Sequence, residues 1–412
     1  VAGYVEDRWW TKRPDPATGK KRKTDRHGQG KRYKVAGIPG VRARSFEDGK
    51  LKAAQAWLAK AQTDMTRQEF IDPREGSILL REYVETIWWP ARRDPVGTAS
   101  PMWSKIRNHI LPHLGHLPMG VIDRDHLATW VATLRDKPNL SESTMEVIWA
   151  HLTGILKSAV GKRIVRNPCS ENVDLRPKGG GDTKARAWAA DEVHAIRAGL
   201  SEWYRICVDL GVAAGLRQGE AFGFSPDDVD EATAVIHLRR QLLWDPGKPY
   251  FKLPKGNKER DVPLSPGLLK AVLAHKEKYP PVTVTLPWRG PGNGKRTTVT
   301  VPLLITTWFG NVVNGSTFNS KNLKPALAAA GLIAERDEDA EGSGWESSRE
   351  MMHHRFRHTY ASVQLHAGED PVSLSQWMGH SSPKITFDTY AHFMPDRGQR
   401  GRSAVDAWLS AD

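Results

Sequence analysis

Cysteine is almost missing from this 412-residue chain, which has only Cys169 and Cys207. Two cysteines supply neither a disulfide framework nor a zinc cluster, and they suit a reducing compartment. A cytoplasmic location is therefore expected. Long apolar runs are missing too. No stretch approaches the roughly 18 residues of a membrane span, and the opening VAGYVEDRWWTKR has no apolar segment of a secretory signal. A soluble chain without a membrane partner is expected. Acidic residues are in deficit, with 47 Asp and Glu against 60 Lys and Arg, a net charge of +13 and a pI near 9.6. Such a balance fits a polyanionic partner.

The excess charge is concentrated. Residues 1–70 hold 17 Lys and Arg against 8 Asp and Glu. A solvated basic tail is the bland explanation. However, Trp9, Trp10, Tyr33, Phe46 and Trp57 are interleaved with the charge, and disordered segments are poor in aromatics. A folded DNA-binding module over residues 1–72 is the better reading. GYVEDRWW and GKRYKVAGIPGVRARSFED read as strands around the loop TKRPDPATGKKRKTDRHGQ. Leu51, Ala54, Trp57, Leu58 and Ala61 then have helical spacing. Trp9 or Trp10 is a candidate to stack or wedge at DNA.

Length allows two or three domains. Residues 76–178 read as a helical domain, with Asp123 capping RDHLATWVATLR and Ser141 or Ser143 capping TMEVIWAHLTGILKSAVG. No catalytic cluster falls here, which suggests a DNA clamp. RPKGGGDTKAR is a basic, Gly-rich linker. Residues 183–412 mix helices with a β-rich patch. TAVIHLRRQLLW and PYFKLPKGNKERDVPL read as strands with KGNKE as a hairpin turn, and YPPVTVTLPWRGPGNGKRTTVTVPLLITTW as a flexible β-loop. The expected fold class is multidomain and mainly α with small β elements: a β-rich module, a helical domain and a mixed α/β domain.

Chemistry collects in the last segment. In AAGLRQGEAFGF, Gly215 ends one helix and Arg217 opens the next, near free amides. Lys255 lies in the turn. In MMHHRFRHTYASVQL, His354 and Arg357 are three apart on one helical face. Leu374–Phe393, LSQWMGHSSPKITFDTYAHF, reads as two short helices: Asp370 and Pro371 start the first, Gly379 ends it, and Ser382 and Pro383 start the second. His380 then sits at the junction and Tyr390 about two turns on. Alone, either could be a packing residue. Together, two arginines, a lysine, two histidines and a tyrosine make a phosphate-handling set. Arginines would stabilise a pentavalent phosphorane and a tyrosine would serve as nucleophile. His354 and His358 also have zinc-ligand spacing, i and i+4. HRFRH has Arg where a metalloprotease has Glu, and arginines repel a cation, so no metal is expected.

The ordered set GLRQGEA, KGNKERDVPL, HRFRHTYAS, MGHSS and FDTY resembles the tyrosine recombinase, or phage integrase, family from Gly215 to Tyr390. The upstream helices resemble that family's core-binding domain, and the basic module more loosely its arm-binding module. The resemblance implies that Arg217 and Arg357 hold the scissile phosphate and that Tyr390 attacks it, forming a 3′-phosphotyrosine link. Lys255 would protonate the leaving 5′-oxygen, with Lys252 and Lys258 as alternatives. His354 would help deprotonate Tyr390 or donate to the phosphate, His380 would bond the phosphate, and Glu220 would buttress the site. His353 and Tyr360 are expected to be structural, the latter on a stripe with Phe356 and Val363. No cofactor, ATP or metal is implied. Implied partners are duplex DNA at core and arm sites, a synaptic homotetramer, a host DNA-bending protein and an excision factor. A phage or mobile-element integrase is favoured over a resolvase, a type IB topoisomerase or a non-catalytic DNA-binding regulator.

Overall fold

The computed structural model describes residues 3–38, 42–66, 75–94, 96–138, 140–179, 184–245, 247–290, 297–339, 344–345, 351–394 and 398–410. The chain separates into two units, Val1–Gly181 and Asp182–Asp412. In the first, β1 (Tyr4–Asp7), β2 (Tyr33–Ala36) and β3 (Arg44–Phe46) form an antiparallel sheet, with α1 (Leu51–Thr66) packed on it. Tyr33, Val35, Ile38, Ala54 and Ala61 make a small core, as the helical and alternating spacings require. The β1–β2 connection is more than a loop. Trp10 bridges Lys23, and Thr11 N–H and Asp15 N–H donate to Arg22 and Lys20 carbonyls. Buried Asp15 pairs with Arg22, while Lys20, Lys21, Arg22 and Lys23 stay exposed. Trp9 and Trp10 both pack on His27, and Trp9 also lies under Arg32. They are half-buried parts of this finger rather than free wedges.

A second core belongs to the helices that follow: α2 (Val96–Lys105) packs Met102 and Trp103 against it, and α3 (Arg124–Arg135) and α4 (Glu142–Ala159) bury much of it. Asp123 accepts from the Asp125 and His126 amides, and of the two serines it is Ser141 that caps α4. Leu127, Trp130, Val131 and Leu134 face Ile148, Trp149 and Leu152 in the same core. Among the described residues no helix is long and apolar enough to cross a membrane.

The second unit opens with α5 (Ala190–Gly199), α6 (Glu202–Ala214) and α7 (Gln218–Phe222). Strands β4 (Val229–Asp230), β5 (Val235–Leu238), β6 (Gln241–Asp245), β7 (Lys248–Lys252) and β8 (Arg260–Pro263) follow. Next come α8 (Pro266–Lys278), β9 (Val282–Trp288), β10 (Thr297–Leu303) and a helical run over 315–329. The chain closes with α9 (His354–Ala367), α10 (Pro371–Met378), α11 (Pro383–Tyr390) and α12 (Gln399–Leu409). Two sheets form, ordered β4-β5-β8 and β10-β9-β7-β6. β7 and β8 therefore belong to different sheets, and KGNKE links sheets instead of closing a hairpin. The expected flexible β-loop is an antiparallel β9–β10 pair in register from Val282↔Leu303 to Trp288↔Thr297. Its Gly-rich tip lies outside the described residues.

The α6–α9 contact carries the core of this unit. Ile206, Leu210 and Ala214 bury beside Phe356, Tyr360, Ala361 and Leu365. Gly215 ends α6 in the left-handed region, φ 62°, and a Cβ there would lie 2.5 Å from the Tyr360 ring. Tyr360 is thus a core residue, 2% exposed, whereas Val363 is 59% exposed and leaves the expected stripe. Gly215→Ala must strain both backbone and packing. A loss of more than about 1 kcal/mol is expected in urea unfolding of the full chain; an unchanged or raised stability would contradict this packing.

Candidate active site

Gly215 turns the chain so that Arg217 caps α7, and Glu220 answers it one turn later. Glu220 accepts from the Arg217 backbone N–H at 2.9 Å and from its Nη1 at 3.0 Å. Arg260, from β8, donates Nη1 and Nη2 to the same carboxylate at 2.9 and 2.6 Å. Glu220 is fully buried. Burial alone raises its pKa, but the Arg260 hydrogen bonds and the charges of Arg260, Arg217 and Arg357 prevail and hold it at about 2. It is ionised.

The last turn of α10 meets the same arginines. Arg260 Nε donates to the Trp377 carbonyl at 2.7 Å, and Arg217 Nη2 to the Met378 carbonyl at 3.2 Å. Arg357, 1% exposed on α9, donates to the carbonyls of Gly215 and Met378. A helix C-terminus carries partial negative charge and free carbonyls, so it suits these cations. Desolvation, then Arg217, lowers Arg357 to about 9, with Glu220 opposing, and the group stays protonated at neutral pH. Gly379, at φ 60°, admits the Arg260 side chain, whose Cδ would sit 3.0 Å from a Cβ.

That glycine also turns the chain toward His380. His380 N–H bonds the Ser375 carbonyl, and its Nδ1 lies 2.8 Å from Thr386 Oγ1. The His380 and Tyr390 rings are nearly parallel, 4° apart in plane and 6.1 Å between centroids. Tyr390 ends α11, is 2% exposed, and has Oη 2.8 Å from Nδ1 of His358. Burial pushes its phenol up to about 12, with Arg357 and Arg217 opposing. His358 and His380 are pushed down to about 4, first by burial and then by neighbouring positive groups. Both are neutral at pH 7.

Arg217, Lys255, Lys258, His354, Arg357 and His380 line one cleft of about 730 Å³. Lys255 is exposed on the inter-sheet turn with Lys258 beside it, while Lys252 ends β7 outside the lining. His354 is exposed at the start of α9. Tyr390 lies behind the cleft rather than in its wall. The fold thus gathers the arginines, Lys255, the two histidines, Glu220 and Tyr390 that the sequence singles out, with one correction. The partner of Tyr390 is His358 and not His354; His354 meets only the edge of the His358 ring, 4.7 Å between centroids. His353 is buried with Nε2 3.3 Å from the Cys207 carbonyl. Sequence reasoning misses Arg260 and His358 as functional residues. His358 stands next to Arg357 in HRFRH, and its spacing from His354 suggests only a metal ligand. A strap also holds α9 and α11. Ala185 N–H donates to the Thr389 carbonyl at 3.2 Å, and Trp188 N–H to Thr359 Oγ1 at 2.8 Å.

An electropositive cleft with a buried tyrosine behind it holds the groups that covalent attack on a phosphodiester requires. The chain is similar to known proteins. The phage integrase family matches residues 189–397. The ICEBs1 integrase of Bacillus subtilis (strain 168) is 23% identical over 275 residues, 66% of this chain and 67% of that protein. A XerC-like tyrosine recombinase of Caldanaerobacter subterraneus subsp. tengcongensis is 23% identical over 246 residues, 56% of this chain and 57% of that one. Among solved structures, the Tn1549 transposon integrase with circular intermediate DNA superposes with a TM-score of 0.59 at 16% identity, covering 81% of this chain and 100% of that chain. A lambda integrase dimer on a COC′ core site gives 0.54 at 15%, covering 89% and 93%. The chain belongs to the phage integrase family, the site-specific tyrosine recombinases.

The neutral histidines make stability pH-dependent. His353, His358 and His380 are all depressed from 6.5 to about 4, so between those values the unfolded chain takes protons that the folded chain refuses. Their contribution is full above pH 6.5 and falls as pH drops toward 4. Glu220, depressed from 4.5 to about 2, adds a further loss below pH 4.5. The urea midpoint is expected to fall steadily from pH 6.5 to 4. A midpoint flat or rising across that window contradicts the assignment.

Proposed function

We propose that the protein is the integrase of a phage or other mobile element, cutting and rejoining duplex DNA through Tyr390. The observation that carries the reading is the convergence of Arg217, Arg357 and Lys255 on one cleft, with Tyr390 directly behind it. Arg217 and Arg357 would hold the non-bridging oxygens of the scissile phosphate. Their inner hydrogen bonds fix both guanidinium planes in advance, so little is reorganised when charge builds on phosphorus. Tyr390 Oη bonds to phosphorus as the bond to the 5′-oxygen breaks, and Lys255 gives that oxygen its proton. His380 has Nδ1 committed to Thr386, which leaves Nε2 for the phosphate. His354, exposed at the cleft, suits the same phosphate. Religation reverses the step. The phosphotyrosine retains the bond energy, so the residues present complete the cycle without ATP or metal.

The mobile-element role is supported by the ICEBs1, Tn1549 and lambda integrases as relatives and fold neighbours. Duplex DNA is the substrate in this reading. A tetramer is the working assembly, as in the lambda integrase tetramer bound to a Holliday junction, which matches at a TM-score of 0.55. Three functional modules, 1–72, 76–178 and 183–412, are proposed within the two units; the separate cores of the first unit support dividing it. The basic finger at residues 11–24 supports a second, arm-type DNA contact. A host bending protein and an excision factor complete the proposal, and the setting is the bacterial cytoplasm.

Tyr390→Phe removes one oxygen. It should bind a nicked core-site duplex normally yet form no covalent adduct on a denaturing gel, and wild-type adducts should persist in EDTA. An adduct in the variant would move the nucleophile elsewhere, and loss of wild-type cleavage on chelation would overturn the metal-free reading. The finger gives an independent test. Replacing Lys20, Lys21 and Lys23 together by Ala should leave core-site cleavage intact while weakening arm-site footprints. The log–log salt dependence of arm binding should flatten by about 0.9 for every phosphate that no longer has a lysine against it. Unchanged arm footprints and slope would assign arm binding to another part of the module.

A further inference from the structure

We propose that His358 is the catalytic residue that takes the phenolic proton of Tyr390 during cleavage and returns it during religation. The inference rests on the reading of Tyr390 as nucleophile. A phenol raised to about 12 is almost wholly protonated at neutral pH, so attack needs an acceptor at its oxygen. Among the described residues, the side-chain hydrogen bond of Oη is to His358 Nδ1, at 2.8 Å. The other bases of the site are engaged elsewhere. Glu220 is buried and bound to Arg260 and Arg217, and His380 Nδ1 is bound to Thr386. Lys255 and His354 line the cleft, whereas Tyr390 is outside its lining.

The surroundings of His358 suit a base that is silent until substrate arrives. Arg357 and Arg355 on its own helix, His354 one turn before it, and His380 and Tyr390 from the turn and α11 are the titratable groups around it. Burial and the arginines keep its ring neutral, with a lone pair on the nitrogen nearest Oη in the Nε2–H tautomer. A phosphodiester entering the cleft brings a negative charge that offsets Arg357 and Arg217 and raises the basicity of the imidazole. In the forward step the Oη–P bond forms, the P–O5′ bond breaks, the phenolic proton moves to Nδ1, and Lys255 protonates O5′. In the reverse step an incoming 5′-hydroxyl gives its proton to neutral Lys255 as it bonds to phosphorus. The departing phenolate then recovers its proton from the imidazolium. Both proton counts close without an external reagent.

The test is single-turnover adduct formation by the full chain on a nicked core-site duplex, with duplex binding measured alongside. His358→Ala should slow adduct formation by roughly 10²- to 10⁴-fold with binding little changed. Added imidazole should restore part of the rate. A fluorinated, more acidic tyrosine installed at position 390 should do the same. A 5′-bridging sulfur leaving group should not help His358→Ala, although it should help Lys255→Ala, because it relieves only the leaving-group end. Normal cleavage by His358→Ala overturns the assignment. So does a defect that neither imidazole nor the acidic tyrosine relieves, which marks a purely structural role, and so does faster cleavage, which marks a bond restraining the nucleophile. Absence of adducts from the wild-type protein would instead sink the Tyr390 reading, and this assignment with it.

Discussion

Three guanidinium groups crowd around one buried carboxylate. Arg217 and Arg260 bond Glu220 directly, and Arg357 reaches the same turn of α10 through the Met378 carbonyl. Like charges this close repel strongly in a low-dielectric interior. Glu220 offsets one of them, and the carbonyls of Gly215, Trp377 and Met378 offset part of the rest. The remainder is uncompensated positive charge facing the cleft. A phosphodiester is the natural complement, and arginine's planar fork suits its paired oxygens. Four pieces of chain meet at this cluster: α7, β8, α9 and the α10–α11 turn. Their agreement on one carboxylate fixes where His380, His354 and Lys255 can be.

Such an arrangement is a poor source of stability, because burying ions costs about as much as their pairing returns. Its value is pre-organisation. Removing Glu220 would leave three arginines with only carbonyl partners, so the carboxylate acts through the arginines rather than on DNA. The buried tyrosine is held differently. Tyr390 lies between the rings of His380 and His358, and its helix is tied by the Thr389 carbonyl to the strap at Ala185. In the proposed reaction charge would therefore recruit the phosphate, while packing and two histidines would present the phenol.

Much of this is legible in the chain. Caps and stops are local, so Asp123, Ser141, Asp370, Pro371, Gly379 and Pro383 mark real helix ends. Arg217, Glu220, His354, Arg357, His380 and Tyr390 are legible only together, through the order of their motifs and the resemblance of that set to the tyrosine recombinase family. Partners across the fold are not. Arg260 looks like one more charge in KGNKERDVPL until β8 carries it to Glu220, forty residues away in sequence. His358 gains meaning only when α11 folds back on α9. The two strands around Lys255 read as one hairpin because strand signals do not specify which sheet each strand joins. Trp9 and Trp10 look available because nothing local announces His27 and Arg32 as their neighbours.

If the uncompensated arginine charge is what selects and activates the phosphate, the need for it should vanish when the phosphate loses its own charge. The direct measurement is the rate of covalent attachment of Arg217→Ala to two core-site duplexes, one with the natural scissile phosphodiester and one with an uncharged methylphosphonate. On the natural linkage the variant should be slower than wild type by roughly 10²- to 10³-fold, as for other lost oxyanion donors. On the methylphosphonate most of that deficit should disappear. A variant that stays folded yet is equally impaired on both linkages would contradict the electrostatic role of the cluster.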